Sequence, residues 1–132
     1  MNIIYYQTPA GIITIEMDSS GVASAVFVDA MPKKIDQKID TKNISFKGTP
    51  FQCRVWRAAM CIPAGKTVTY QELAIAIGNP KAFRAVANAL GQNKIAYFIP
   101  CHRVIRKNGA LGGYKWGIEK KKALLKAEGA VV

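Results

Sequence analysis

Two short helices joined by a tight turn are the sequence feature that most restricts the fold. Thr69-Tyr70-Gln71-Glu72 is a capping box, which predicts a helix from there through Ile77. Gly78 can end that helix in a left-handed conformation, and Asn79-Pro80 predicts the start of a second helix that runs to Gly91. The pattern is typical of a helix-turn-helix, whose second helix usually reads DNA, although it also fits two ordinary packed helices.

The predicted second helix carries a face of small side chains. Ala82, Ala85 and Ala89 recur at helical spacing, and Arg84 projects from another face. Small side chains allow a helix to lie close to a flat surface, and a long cation beside them can reach into a groove or a base stack. These four residues are therefore the candidate DNA contacts of this helix.

The distribution of charge favours a polyanionic partner. The formal net charge is +11, and residues 81–132 carry eleven Lys or Arg against two acids. A basic face kept for solubility is the ordinary explanation, and a membrane surface is a weaker one. Because the charge is concentrated in one part of the chain, nucleic acid is the favoured partner.

Composition indicates a folded protein inside the cell. Half of the 132 residues are hydrophobic, which is enough for a core in one small domain or two. No apolar run approaches the roughly 18 residues of a membrane span, and a secretory signal pattern is absent from the sequence. The three cysteines lack the regular spacing of a disulfide framework, so we expect free thiols and a cytoplasmic location.

The N-terminal part predicts strands and the C-terminal part predicts helices, which together indicate an α+β fold. Three β-branched or aromatic runs separated by turn residues predict an antiparallel meander, and residues 29–48 are polar and lysine-rich like a linker. A boundary near residue 48 divides the chain into a small β domain, 1–48, and a domain of residues 49–132. The runs are Ile3 to Tyr6, Ile12 to Met17 and Val22 to Val28; the other predicted helices begin at Thr49-Pro50-Phe51-Gln52 and span Ile118 to Ala127.

Cys101 and His102 form the candidate reactive centre, since His102 is the only imidazole in the sequence. A thiol reacts as thiolate and needs a base or a positive field nearby. Pro100 and the apolar run Ile95 to Ile99 predict an extended segment that ends at Cys101. An inert buried thiol and a cysteine hydrolase remain alternatives, whereas one His and three scattered Cys argue against a structural metal.

Two further stretches are candidates for the same site. The glycine-rich segment Gly109 to Gly117 encloses Tyr114, Lys115 and Trp116, as pocket-lining loops often do. Glu128 is an acid at a helix C-terminus, which the helix dipole disfavours. An exposed Glu128 is the default interpretation, and His102 is the best candidate for a partner.

Taken together, these residues resemble a known family. Pro100-Cys101-His102-Arg103-Val104, Asn79-Pro80-Lys81 with Arg84, Gly113-Tyr114-Lys115-Trp116-Gly117 and the closing Glu128-Gly129 are similar to the methylated-DNA–protein-cysteine methyltransferases, the alkylguanine-DNA alkyltransferases. The resemblance covers residues 49–132 and implies a winged helix-turn-helix catalytic domain. It also implies that residues 1–48 are a reduced form of the family's ribonuclease-H-like domain.

The resemblance implies direct repair of DNA. A monomer binds the minor groove of double-stranded DNA, rotates a 6-O-methylguanine out of the duplex and transfers its methyl group irreversibly to Cys101, without cofactor or metal. Under this reading His102 activates Cys101 through a water and Glu128 orients His102. Asn93 braces the turn beneath the site, and Tyr70 helps to neutralise the departing guanine with Lys121 as its basic partner.

The resemblance also implies which residues line the substrate pocket, and two other functions remain as alternatives. The Cys101 and Val104 backbone would accept from the guanine amine, Tyr114 and Lys115 would face the alkylated oxygen, and Trp116 would narrow the pocket against large alkyl groups. Phe83 and Asn88 stand where the family often has smaller residues. The rivals are a non-catalytic lesion sensor of the alkyltransferase-like kind, which lacks the acceptor cysteine, and a winged-helix transcription regulator, which needs no thiol.

Overall fold

The N-terminal region is a three-stranded antiparallel sheet in the computed structural model, which describes residues 3–130. Strands β1 (Ile4–Thr8), β2 (Gly11–Asp18) and β3 (Gly21–Phe27) lie in the order β1-β2-β3. Side chains alternate across a strand, so Ile13 and Ile15 point to the same face and are fully buried. The predicted meander and the predicted α+β class are confirmed.

The free edge of β3 is covered by two short segments from later in the chain. Residues 43–45 pair with Val22, whose N–H donates to the Asn43 carbonyl and whose carbonyl accepts from Ser45 N–H. Residues 94–96 pair with Ala25 in the same way. The second segment leads directly into the Cys101 turn, so the sheet is hydrogen-bonded to the part of the chain that carries the candidate nucleophile.

Four helices follow the sheet, and the two capping boxes behave as the sequence predicts. Thr49 and Thr69 each accept a hydrogen bond from the backbone N–H three residues on, and the side chains of Gln52 and Glu72 each bond back to the cap N–H. Gly78 follows the second of these helices with a φ of 84°. The helices are α1 (Pro50–Met60), α2 (Tyr70–Ala76), α3 (Phe83–Gly91) and α4 (Ile118–Ala127).

Helix α3 begins later than the sequence predicts. The Ala82 N–H donates to the Asn79 carbonyl, which closes a turn over Pro80, and the helical ladder starts with the bond from Val86 N–H to the Ala82 carbonyl. Pro80 therefore lies in the turn that precedes the helix and not in its first turn. Arg84 consequently occupies the second position of α3, at the end nearest that turn.

The approach to Cys101 is a turn and not the predicted extended segment. Residues 96–98 turn, with Tyr97 at a φ of 72°, and Cys101–Arg103 form one turn of 3₁₀ helix. Strand β5 (Val104–Ile105) follows and pairs in parallel with β4 (Val68–Thr69), next to the start of α2. The reactive turn is thus held between the edge of β3 and this two-stranded ladder.

One hydrophobic core joins the sheet to the helices. It contains Ile13 and Ile15 of β2, Val55 of α1 and Val86 of α3, all fully buried. Trp56 contributes its indole N–H, which donates to the Ala89 carbonyl at 2.8 Å. Every helix within residues 3–130 is too short or too polar to span a lipid bilayer.

The close approach of Gly21 to residue 43 provides a test of the edge pairing. A Cβ at Gly21 would lie 2.1 Å from the Asn43 carbonyl oxygen, and the φ of 132° disfavours any L side chain. We expect Gly21→Ala to lower the free energy of unfolding by at least about 2 kcal/mol, measured by urea denaturation. Gly91→Ala is the control, because a Cβ there meets nothing within 4 Å; a similar loss in both variants would contradict the pairing.

Candidate active site

A cavity of about 420 Å³ opens beside Cys101. Helix α3, the loop before α4 and Tyr70 at the start of α2 all contribute side chains to its wall. Six of its lining residues are sites proposed from the sequence: Tyr70, Arg84, Cys101, Tyr114, Lys115 and Trp116. The sequence did not predict that six others line it, because this depends on which side of α3 and of the loop faces the cavity: Phe83, Ala87, Leu90, Gly91, Arg106 and Gly113.

Asn93 holds the Cys101 turn. Its side-chain oxygen accepts from Ile95 N–H at 2.8 Å, and its amide donates to the Ile95 carbonyl at 3.1 Å and to Cys101 Sγ at 3.2 Å. Asn93 is 1% exposed, so these bonds are shielded from water. The same side chain therefore fixes the turn that leaves the sheet edge and orients the sulfur.

Burial keeps the Cys101 thiol protonated. Removal from water raises the pKa of Cys101 to about 12, against the opposing effects of the Asn93 hydrogen bond and the Lys121 and Lys115 charges. Cys101 is 8% exposed, and its open side faces the cavity. A nucleophilic thiolate at this position requires a base to take the proton at the time of reaction.

His102 has the properties of that base. The side chain is fully buried, and burial lowers the pKa of His102 below its usual value despite the neighbouring Glu128 carboxylate, so the ring is neutral near pH 7. His102 Nε2 lies 3.0 Å from Glu128 Oε2, which favours the tautomer with the proton on Nε2. Nδ1 is buried and has no hydrogen-bond partner among the described residues, so its lone pair is available.

Arg103 anchors Glu128, a contact that the sequence did not indicate. Its Nε donates to Glu128 Oε1 at 2.9 Å and its Nη2 donates to Oε2 at 2.6 Å, while Nη1 donates to the Ile62 carbonyl at 2.6 Å. Burial tends to raise the pKa of Glu128, but hydrogen bonds from Arg103 and His102 bring it below its usual value. The carboxylate therefore stays ionised and is tied to the end of α1.

Lys121 is a buried cation that organises the loop before α4. It is fully buried, and its ammonium donates to the carbonyls of Val104 at 2.7 Å, Gly113 at 3.2 Å and Leu111. Burial lowers the pKa of Lys121 to about 8. Lys115 ties the same loop to the Cys101 turn, since its Nζ donates to the Asn93 carbonyl at 3.0 Å.

Tyr70 faces the cavity with a different cation from the one the resemblance assigned to it. Burial raises the pKa of Tyr70, and the positive charge that opposes this effect belongs to Arg106, which also lines the cavity. Gly112 fits against both side chains, because a Cβ there would lie 2.9 Å from the Tyr70 hydroxyl. The Lys121 ammonium instead donates its hydrogen bonds to backbone carbonyls of β5 and of the loop before α4.

Two residues assigned to the DNA face or the pocket lie elsewhere. Ala89 is 3% exposed and packs in the core under Trp56, whereas Ala85 is exposed and Ala82 is half-buried, so only part of the predicted alanine face is open. Val104 is fully buried in β5, outside the cavity wall, and its carbonyl accepts from Lys121. Both residues belong to the hydrophobic core, and neither helical spacing nor the motif could distinguish a core position from an exposed one.

Comparison with known proteins identifies the family. Residues 50–130 match the model of the 6-O-methylguanine DNA methyltransferase DNA-binding domain. The chain belongs to this family. A Kluyveromyces lactis methylated-DNA–protein-cysteine methyltransferase is 46% identical over 105 residues, which are 80% of this chain and 56% of that protein. The regulatory protein Ada of Salmonella typhimurium is 56% identical over 85 residues, 64% of this chain and 24% of that protein.

The likeness to a solved methyltransferase extends over nearly the whole chain. The crystal structure of Mycobacterium tuberculosis OGT in complex with DNA matches with a TM-score of 0.82 at 33% identity, covering 98% of this chain and 93% of that one. By contrast, this chain spans only about a quarter of the Ada protein and just over half of the K. lactis enzyme. Within residues 3–130, no group of three or more His, Cys, Asp and Glu side chains is placed to hold a metal ion.

The ionised Glu128 makes a testable contribution to stability. The pKa of Glu128 is lower in the folded protein than in the unfolded chain, where it is near 4.5. The ionised carboxylate therefore stabilises the fold at pH values above 4.5, and this contribution is lost as the pH falls through the pKa of the folded state. We expect Glu128→Gln to reduce the free energy of unfolding by about 1–3 kcal/mol near pH 7, and the difference from wild type to shrink below about pH 4, by urea denaturation.

Glu119→Gln is the matched control for that experiment. Glu119 lies on the same helix, and its side chain is 86% exposed, so its loss should change stability by less than about 0.5 kcal/mol at either pH. A deficit for Glu128→Gln that is as large near pH 3 as near pH 7 would contradict the ionised pair.

Proposed function

We propose that this protein repairs guanine alkylated on its exocyclic oxygen by moving the methyl group to its own Cys101. The observation that carries the proposal is that Cys101 lines a cavity large enough for a base and directly precedes a neutral, buried His102, which is backed by an ionised Glu128. The relatives described above are longer than this chain, so the proposal rests on the residues of this chain.

The first chemical step is loss of the thiol proton. His102 Nδ1 is the available base nitrogen, and a bridging water would carry the proton from Cys101 Sγ to it. The imidazolium that forms is stabilised by Glu128, which accepts from Nε2 and is itself held by Arg103. Asn93 donates to the sulfur and also stabilises developing negative charge there.

The second step is displacement at the methyl carbon. The thiolate lone pair forms the new sulfur–carbon bond, the carbon–oxygen bond breaks, and its electron pair passes to the guanine oxygen. The departing guanine then gains a proton, for which the Tyr70 hydroxyl at the cavity wall is the candidate donor, with Arg106 nearby. The thioether product resists hydrolysis, so one molecule repairs one lesion.

The cavity lies beside the exposed part of α3, which is the candidate DNA contact. Arg84 lines the cavity mouth, and Ala85 is exposed next to it. A small-residue face suits a shallow approach to the minor groove, and Arg84 is our candidate for filling the gap that an extruded base leaves in the stack. We assign no direct contact to the buried Ala89.

The proposed partner is double-stranded DNA that carries an alkylated guanine, bound by a monomer. Because most of the net charge lies in residues 81–132, we expect binding to weaken steeply with salt. The substrate places the protein with the DNA, in the cytoplasm at the nucleoid. The proposed transfer needs no cofactor, since the alkyl group moves directly from oxygen to sulfur.

Intact-mass spectrometry tests the proposed transfer. We expect the protein to gain one methyl group after incubation with an oligonucleotide duplex that contains a single 6-O-methylguanine. Cys101→Ser should gain none, whereas Cys61→Ser, which removes an exposed thiol outside the cavity, should react like the wild type. DNA binding with unchanged mass would instead support the sensor, and sequence preference without lesion preference would support the regulator.

Arg84 provides a second test, of base extrusion. We expect Arg84→Ala to slow transfer from duplex DNA about ten- to a hundredfold, because the gap in the stack would stay unfilled at a cost of a few kcal/mol. Transfer from a short single strand should change much less. Arg54→Ala removes the same charge from the exposed face of α1 and should leave both rates near wild type. Equal slowing on both substrates would rule out this role.

A further inference from the structure

Trp116 forms part of the cavity wall and is supported from behind by the N-terminal sheet. Its ring lies 6.2 Å from that of Phe27, the last residue of β3, at an interplanar angle of 64°. This edge-to-face geometry is the favoured one for aromatic pairs. A residue of the small β domain therefore contacts a wall of the cavity that holds Cys101.

The aromatic contacts continue from Trp116 to the imidazole. Trp116 and Tyr114 have ring centroids 5.4 Å apart, and Tyr114 lies 6.3 Å from His102 with nearly perpendicular planes. Phe27 is thus at the outer end of a contiguous row of rings that ends at His102. The position of Phe27 is set by its pairing with Ile13 in the sheet.

The backbone of the loop does not by itself fix the indole of Trp116. Glycines occupy positions 112, 113 and 117, and Gly112 and Gly117 have φ values of 72° and 102°. Glycine leaves the chain many accessible conformations, so the side-chain contacts select one of them. For Trp116 these contacts are Tyr114, Phe27 and the Lys115 ammonium, 5.5 Å from the ring centre.

We propose that Phe27 is a positioning residue that sets the size of alkyl group accepted at Cys101, acting through Trp116. With Phe27 in place, Trp116 stays against the cavity and restricts the space beside the sulfur. Without it, the indole can move outward toward β3 and admit a larger group. The inference rests on the proposed function, since selectivity between alkyl groups exists only if Cys101 accepts them.

The test compares two alkyl groups in otherwise identical duplexes. Single-turnover rates of transfer to Cys101 are measured with 6-O-methylguanine and 6-O-benzylguanine, and the benzyl-to-methyl ratio is the readout. An aromatic pair of this geometry corresponds to about a three- to tenfold effect, so Phe27→Leu should raise the ratio by that factor. Phe27→Tyr keeps the ring and should keep the ratio.

Double substitution distinguishes action through Trp116 from a general loss of structure. We expect Trp116→Gly to raise the ratio further, and Phe27→Leu to leave it unchanged in the Trp116→Gly background. Val26→Ala is the matched control in the same strand, because Val26 is 40% exposed and is not part of the core or the cavity wall. Its ratio should equal that of the wild type.

Fluorescence quenching gives a readout that does not depend on activity. Trp56 is 5% exposed and Trp116 is half-buried, so acrylamide quenching reports mainly on Trp116. Quenching should increase in Phe27→Leu and stay unchanged in Phe27→Tyr. This measurement keeps the inference testable if the rates of a destabilised variant are low for both substrates.

Three outcomes would overturn the inference. They are an unchanged ratio in Phe27→Leu while Trp116→Gly raises it, an effect of Phe27→Leu that persists in the Trp116→Gly background, and unchanged quenching of Trp116. Failure of the proposed function is a different result, since the wild type would then transfer neither alkyl group to Cys101.

Discussion

The burial of the Cys101 thiol is the constraint on which the rest of the site depends. A thiol removed from water keeps its proton, so it is protected from adventitious reaction but is not yet a nucleophile. The site therefore needs a neutral base within reach, and that base must itself be buried to stay neutral. In the proposed mechanism that base is His102, which follows Cys101 directly and is itself buried, and the ionised Glu128 compensates for the charge that His102 acquires.

The geometry of this centre is maintained from several sides. Asn93 ties the sulfur to the segment that pairs with β3, Lys121 binds carbonyls of the pocket loop and of β5, and Arg103 links Glu128 to the end of α1. Each of these polar side chains is buried or nearly so, where an unmet hydrogen bond is costly. The three-stranded sheet thus belongs to the scaffold of the reactive turn, although it contributes no reacting group.

Local sequence signals predicted the helices and strands well, whereas contacts between residues far apart in the sequence could not be predicted. The capping boxes at Thr49 and Thr69 marked two helix starts because a cap is complete within four residues. The helix start predicted at Asn79-Pro80 was wrong, since proline suits a turn as well as a first helical turn, and Tyr97 at positive φ had no signal of its own. The sequence motif identified Cys101, His102 and Glu128 as candidates. The bonds from Arg103 to Glu128 and the contact of Phe27 with Trp116 were not predicted, because they join residues far apart in the sequence.

Titration of the Cys101 thiol shows whether burial holds the proton on the sulfur. In a variant with Cys53→Ser and Cys61→Ser, Cys101 is the one remaining thiol, and its rate of alkylation by iodoacetamide can be followed as a function of pH. We expect a protonated, slowly reacting thiol at neutral pH, with a pKa of about 12. Titration at or below the usual value of 9.0 would contradict this mechanism, because burial would then not be holding the proton on the sulfur.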